Sequence, residues 1–82
     1  MICRVKLVWD KEFDGWFTET EDIPGLILGA NSFDRLIEKV CEAAPEMLEL
    51  NLGYNGPVNI LFEAERVEVD VPYEREREGV FA

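Results

Sequence analysis

The chain has 82 residues, of which 18 are acidic and 8 are basic, so its formal net charge is −10. This length provides a single core, and a domain of this size buries only roughly 60–65% of the surface of its unfolded chain. The excess of acid argues against nucleic-acid binding, which needs clustered Lys and Arg, and against docking on an anionic membrane. A basic protein is the partner that this charge favours, although acidity also keeps small proteins soluble.

The N-terminus and the cysteines bear on the compartment. Residues 1–6 already alternate like a strand, so we expect no export signal, and charges interrupt every later apolar run. Cys3 and Cys41 are far apart and lack a second pair with metal-type spacing. Isolated cysteines favour a reducing cytoplasm and free thiols, and we expect both to be small, buried or semi-buried residues.

The beginning of the chain predicts a β-hairpin. Residues 2–9 alternate, and residues 16–21 form the second strand. Asp14-Gly15 offers positive φ angles for the tight reversal between them. The core face of the first strand is expected to carry the odd-numbered residues Cys3, Val5, Leu7 and Trp9.

A corner and a short third strand follow. Pro24-Gly25 suits the two central positions of a type II turn, because Pro fixes the first φ and Gly accepts the positive second φ. Residues 26–30 are therefore expected to pair antiparallel with the second strand.

The next segment predicts an amphipathic helix that Ser32 caps. Its apolar stripe consists of Phe33, Leu36, Ile37, Val40, Ala44, Met47 and Leu48. Pro45 lacks an N–H and clashes with the preceding turn. We therefore expect the first piece to end near residue 43, followed by a kink or by a new helix with Pro45 in its first turn. The second piece is expected to run to about Leu50 or Asn51.

Residues 57–71 predict one long last strand whose apolar positions change phase. They fall on even numbers first (Val58, Ile60, Phe62 and Ala64) and on odd numbers afterwards (Val67, Val69 and Val71). One strand cannot place both sets on the same face. Either a bulge lies near Glu65-Arg66, or the second set faces something else, such as another subunit.

Together these elements predict an α+β fold. It is a two-layer β-β-β-α-β domain over residues 1–71, an antiparallel meander with one helix, kinked near Pro45, on one sheet face. The long last strand completes the sheet, and the second sheet face is only partly covered. Residues 72–82 are expected to form a charged C-terminal tail.

The order of the short motifs resembles the HicB-like antitoxin family, and more closely its short relatives of unassigned function. The resemblance covers about residues 4–52 and rests on an Asp-Gly hairpin with an aromatic strand (14–17), an Asp-hydrophobic-Pro-Gly corner (22–25) and a helix start (29–33). It implies a β-β-β-α-β domain that binds and blocks a small basic RNA-cleaving toxin, HicA.

The resemblance has one departure with a functional consequence. Many family members carry a C-terminal helix-turn-helix or ribbon-helix-helix segment that binds DNA. The residues after Val71 are too few and too acidic for such a segment. We therefore expect no direct nucleic-acid binding by this chain.

The residue types predict no catalytic, cofactor or metal site. The chain has no His, the commonest general base near neutral pH, and Ser32 already serves as a helix cap. The adjacent pair Glu21-Asp22 lacks the further carboxylates that a hard metal ion requires. We therefore expect a non-enzymatic protein without cofactor or metal.

The aromatic and acidic residues around the hairpin admit two interpretations. Trp9, Trp16 and Phe17 either pack under the helix or leave one aromatic on the open sheet face as a partner anchor. The nearby carboxylates form either a solvated rim or a surface for a basic partner. The candidate partner-binding residues are Asp14, Trp16, Glu19, Glu21 and Asp22.

Three function hypotheses remain. The first is an antitoxin-like interaction module with a small basic HicA-like toxin as partner. The second is a self-associating structural or regulatory domain without a toxin. It would form a homodimer or a higher oligomer through its sheet edge or through residues 65–71, with Val67, Val69 and Val71 as the candidate residues. The third, an enzyme or small-ligand binder, would need a pocket with converging polar groups, of which the sequence gives little sign.

The self-association hypothesis yields a first prediction. If residues 67–71 face another subunit, Val69→Asp places a charge in an apolar interface and converts a dimer into a monomer. Light scattering coupled to size-exclusion chromatography measures the mass, and circular dichroism checks the fold. An unchanged mass with the fold intact would remove this interface.

Overall fold

The structure of the protein is a computed structural model, which describes residues 1–68. The elements are, in chain order, β1 (Ile2–Asp10), β2 (Gly15–Glu19), β3 (Gly29–Ala30), α1 (Phe33–Leu52) and β4 (Asn59–Glu65). The predicted tail (72–82), Val69 and Val71 lie outside the described residues.

One four-stranded sheet has the order β3-β2-β1-β4. β2 pairs antiparallel with β1 and with β3, whereas β4 pairs parallel with β1. Over the described residues, the predicted α+β fold with β-β-β-α-β order and a single helix is confirmed. Within residues 1–68, no helix combines the length and the apolar character that crossing a bilayer requires.

The core lies between α1 and one face of the sheet. On β1, the odd-numbered residues Cys3, Val5 and Leu7 are fully buried, as alternation predicts. The helix contributes a buried stripe, which consists of Leu36, Val40, Ala44 and Leu48. Ile60 and Phe62 of β4 lie beside Cys3 and Val5 and pack against this core.

The helix begins as predicted and continues through Pro45 to Leu52. The Ser32 Oγ accepts the N–H of Arg35 at 3.3 Å, which confirms the N-cap. At the other end Gly53, with φ +65°, donates its N–H to the carbonyl of Glu49 at 3.0 Å. This left-handed residue is a common helix ending.

Pro45 lies inside this continuous helix, so of the two alternatives a new helix with Pro45 in its first turn is wrong. A proline in a helix interior costs about 3 kcal/mol, because a hydrogen bond is lost and the ring crowds the preceding turn. Pro45 is exposed, whereas Ala44 and Leu48 beside it are fully buried. Burial of the apolar stripe on both sides of Pro45 therefore holds the helix together. Cys41, whose carbonyl loses its N–H partner, is an exposed residue.

The hairpin reverses over residues 11–14, but its glycine has a different role from the predicted one. Asp14 alone of the pair Asp14-Gly15 has a positive φ, of 55°. A Cβ on Gly15 would lie 2.9 Å from the Ala30 carbonyl oxygen and 3.0 Å from the ring of Phe13. Glycine is thus needed at position 15 for the close approach of β3, and not for its φ angle.

The corner before β3 is confirmed. Gly25 has φ +82°, and the N–H of Leu26 donates to the carbonyl of Ile23 at 3.2 Å, as the predicted type II turn requires.

The third strand is shorter than predicted, because residues 26–28 are not part of it. The Thr18 side chain explains the difference. Its Oγ1 donates to the Leu26 carbonyl at 3.1 Å and accepts the N–H of Leu28 at 3.0 Å. The backbone N–H of Thr18 also donates to the Leu28 carbonyl at 3.0 Å. A buried hydroxyl therefore replaces part of the regular strand pairing.

The phase change in the last strand coincides with the end of β4 at Glu65, and residues 66–68 are not strand. The predicted strand is therefore too long over these residues. Arg66 continues the even-numbered set, because its guanidinium lies 4.1 Å from the ring centroid of Trp9, a cation–π distance. Val67 is 69% exposed.

The burial contrast along α1 supplies a prediction with an internal control. Leu36 is completely buried, whereas Leu50 on the same helix is 77% exposed. Leu36→Ala should lower the free energy of unfolding by about 2–5 kcal/mol, because it leaves a cavity in the core. Leu50→Ala should change it by no more than about 0.5 kcal/mol. Urea denaturation measures both, and similar losses for the two variants would contradict this packing.

Candidate interaction surface

The sheet face that points away from α1 carries charges in an ordered pattern. Strand alternation and register place Arg4 and Lys6 of the central strand on this open face, with Glu19 of β2 beside Lys6 on one side. On the other side, Glu63 of β4 lies beside Lys6, and Glu65 follows it on the same face. Cations therefore follow the middle of the face, and carboxylates flank them.

Two ion pairs connect these strands. The Lys6 Nζ lies 3.2 Å from Glu65 Oε2, and the Arg4 Nη1 lies 4.0 Å from Glu63 Oε1. The hydrogen bond and charge of Glu65, with a smaller effect of Glu19, raise the pKa of Lys6. These side chains are well exposed, so the pairs organise the surface and add little stability.

At one end of the open face, carboxylates converge on a shallow groove of about 320 Å³. We call this groove, lined by Glu19, Glu21, Asp22 and Glu63, the acidic groove. Arg4, Lys6 and Thr20 complete its lining. Four carboxylates and two cations leave it with a formal charge of −2 at neutral pH.

Side-chain hydrogen bonds shape the wall of the groove. β2 ends at Glu19, so within residues 1–68 no strand pairs with the backbone of Arg4 on that side. The Asp22 Oδ2 accepts the N–H of Arg4 at 2.7 Å, and the Thr20 Oγ1 donates to the Arg4 carbonyl at 2.6 Å. Thr20 Oγ1 also accepts the N–H of Asp22 at 3.1 Å. Asp22 therefore has a structural role in addition to its charge.

The structure brings three of the five candidate partner-binding residues together. Glu19, Glu21 and Asp22 lie in the acidic groove and are exposed. Asp14 lies in the hairpin loop, at the opposite end of β2. Trp16 lies on the helix side of the sheet, because its even number gives it the opposite orientation to Glu19.

The aromatic residues divide between the two faces. Trp16 packs edge to face against Trp9, with ring centroids 5.4 Å apart, and against Phe33 of α1, at 4.9 Å. Such contacts are typical of core packing. Phe17, half-buried, is the aromatic residue of this group that lies on the open face.

The sequence interpretation missed Arg4, Lys6 and Glu63 as groove residues. Arg4 and Lys6 share the even-numbered face of the first strand, and this signal was visible in the sequence. The contribution of Glu63 depends on the parallel pairing of β4 with β1, which brings together residues almost sixty positions apart. Alternation along single strands does not contain that information.

The two cysteines differ in environment. Cys3 is buried, and burial raises the pKa of its thiol, as does the nearby carboxylate of Asp22. Cys41 is exposed on α1, so the expectation that it is buried or semi-buried is wrong. On the helix, Cys41 lies next to the apolar stripe and not within it, so its side chain points toward solvent. Among residues 1–68, no three Cys, Asp or Glu side chains are grouped as a metal ion would require.

The mixed sheet, the single crossing helix and the open charged face define a small α+β domain. Residues 2–73 match the family described as a domain of unknown function, DUF1902. Because this match spans most of the chain, the protein belongs to that family.

A solved structure supports the same architecture. Hypothetical protein TTHA1013 from the extremely thermophilic bacterium Thermus thermophilus is 34% identical, with a TM-score of 0.73. The alignment covers 84% of this chain and 99% of that chain. No curated protein matches this chain significantly.

The difference between the cysteines is directly measurable. An aromatic disulfide reagent should modify Cys41 rapidly in the folded protein, because only an accessible thiolate attacks the reagent. Cys3 should react only after unfolding, since it is buried and its thiol pKa is raised. Absorbance of the released thiolate follows both phases. Cys41→Ser should remove the fast phase, and loss of that phase in Cys3→Ala instead would reverse the assignment.

Proposed function

We propose that this chain is a non-enzymatic protein-interaction module that binds a small basic protein, a HicA-like RNA-cleaving toxin, at the acidic groove. One observation carries the proposal: Glu19, Glu21, Asp22 and Glu63 converge at one end of an otherwise open sheet face. The overall charge of −10 extends the same attraction over the whole molecule.

The shape and charge of the groove suit a protein surface. The groove is shallow and lies on exposed side chains, whereas small-molecule sites are concave and mostly apolar. Lys or Arg side chains of a partner can approach its carboxylates without the large cost of burying an unpaired charge. Long-range electrostatic attraction accelerates the association of such surfaces, and salt screens this attraction.

The resemblance to HicB-like antitoxins supports the choice of partner. Asp22 begins the Asp-hydrophobic-Pro-Gly corner on which part of that resemblance rests, and its carboxylate forms one wall of the groove. The motif therefore has a physical role in this fold, which is to fix the corner against β1 beside the charged surface. The proposal also assigns the chain to the cytoplasm, where an RNA-cleaving partner meets its substrate.

The second candidate function is a self-associating structural or regulatory domain without a toxin. The observation that favours it is apolar exposure on the open face: Ile2 is 71% exposed and Leu61 is 48% exposed. Both lie near the outer strand β4, away from the hairpin.

A pull-down at two salt concentrations tests the first proposal. The tagged chain is incubated with lysate of its source organism at low and at high salt, and captured proteins are identified by mass spectrometry. Wild type should retain a small basic protein that high salt releases. Recovery of no such protein at low salt would contradict the proposal.

Titration calorimetry with the purified partner then locates the surface. Glu19→Gln/Glu21→Gln should weaken binding about tenfold, because two groove charges are lost. Glu42→Gln/Glu46→Gln changes the net charge equally on the exposed side of α1 and should alter the affinity less than about twofold. Equal weakening by both variants would show that only net charge matters.

A functional assay separates toxin neutralisation from other binding. The purified partner should cleave RNA, and an equimolar amount of this chain should stop the cleavage. A partner that binds but has no effect on RNA would support an interaction module and contradict the antitoxin role.

A further inference from the structure

The two edges of the sheet are protected differently. The β3 edge is only two residues long, and Lys39 Nζ of α1 donates to the carbonyl of Gly29 there, at 2.9 Å. The β4 edge is seven residues long and contains neither Pro nor Lys, two residue types that block strand edges. Among residues 1–68, nothing pairs with the outer side of β4.

The register of β4 shows which backbone groups point outward. The N–H of Asn59 donates to the carbonyl of Met1 at 2.9 Å, toward the β1 side. The N–H and C=O of one strand residue point to the same side, and the side alternates along the strand. The outward groups, which have no strand partner in the described part of the chain, therefore belong to Ile60, Phe62 and Ala64.

From this pattern we infer that β4 pairs antiparallel with β4 of a second copy, across a two-fold axis at Phe62. This deepens the second candidate function and does not depend on the toxin proposal. Phe62 then faces Phe62 of the other copy, and Ile60 faces its Ala64. All outward groups at these three positions find partners, in about six hydrogen bonds. The result is a continuous eight-stranded sheet with both helices on one face.

The side chains suit a second copy as the occupant. On the helix side, the half-buried Phe62 ring meets its symmetry mate. On the open face, this register places Leu61 directly opposite Glu63 of the other copy and diagonal to its Leu61. The apolar area that Leu61 exposes is thus partly covered.

The carboxylates of β4 do not prevent this approach. Glu63 and Glu65 each lie close to a cation of their own chain, at 4.0 Å from Arg4 and 3.2 Å from Lys6. Both cations lie on the neighbouring strand, so the edge itself stays accessible. A chain of 82 residues has a small core, and pairing of edges is a common way for such domains to gain stability.

Amide exchange measured by NMR, together with sedimentation equilibrium, tests the pairing. We expect a dimer whose Ile60, Phe62 and Ala64 amides become protected as the protein concentration rises. Leu61 and Glu63, which bond to β1, should be protected at every concentration. A mass that stays monomeric would overturn both the pairing and the second candidate function.

Two further outcomes would overturn the pairing alone. The first is a dimer in which the amides of Ile60, Phe62 and Ala64 exchange freely, which would mean that the copies associate through another surface. The second is protection of these amides in a monomer, which would mean that another part of the same chain covers the outer edge of β4.

Charge substitutions at a single position test the register. Because of the two-fold axis, the dimer contains two pairs of position 61 with Glu63 of the other copy. Leu61→Glu places two carboxylates opposite each other in both pairs and should raise the dimer Kd about tenfold. Leu61→Lys meets the same carboxylate with the opposite charge and should lower the Kd about threefold. A rise for Leu61→Lys as large as for Leu61→Glu would overturn this register.

A rescue and a control complete the design. Leu61→Glu combined with Glu63→Lys restores opposite charges across the two-fold axis and should return the Kd to near the wild-type value. Ile27→Glu introduces the same charge at a residue that is 87% exposed and away from β4, so the Kd should not change. Failure of the rescue in a folded double variant, or equal weakening by Ile27→Glu, would contradict direct pairing at β4.

Discussion

Burial of one face of β1 is the constraint on which the rest of the structure depends. This strand lies inside the sheet, with β2 on one side and β4 on the other, and its odd-numbered residues Cys3, Val5 and Leu7 have almost no contact with solvent. Because strand side chains alternate, packing these three residues against the helix forces Arg4 and Lys6 onto the opposite face. The hydrophobic core thereby determines which charges the molecule presents, and where.

The helix completes this arrangement and explains why local rules fail within it. A parallel neighbour for β1 requires a long connection that crosses the sheet, and α1 supplies it. The buried stripe must therefore remain continuous from Leu36 to Leu48, through Pro45. The local preference of proline is weaker than the burial of several apolar side chains on both sides of it.

Those parts of the fold that depend on periodicity were predictable from the sequence. The core face of β1, the apolar stripe of α1, the Ser32 cap and the turn at Gly25 all follow from residue type and spacing. Features that depend on contacts between distant segments were not. The close approach of Ala30 to Gly15 and the hydrogen bonds of Thr18 with residues 26–28 exist only once the strands have assembled.

The same distinction holds for the candidate surface. The position of Glu19, Glu21 and Asp22 in the second strand and the corner predicts them as partner-binding residues, and all three lie in one groove. Trp16, the aromatic candidate, does not join them, because alternation assigns it to the other face, beside Phe33. Glu63 could join the groove only through the strand order, which single-strand patterns do not encode.

The parallel pairing of β1 with β4 also has a consequence for synthesis of the chain. β1 and β2 pair through a short hairpin, so this contact is available early. The other side of β1 receives its neighbour only when Asn59 and the residues after it have left the ribosome, since Ile2 pairs with Asn59. Until then the central strand of the finished protein is an edge strand in the nascent chain. We expect the charged even-numbered residues Arg4 and Lys6 to hinder wrong pairing during that interval, because charges on an edge discourage association with other strands.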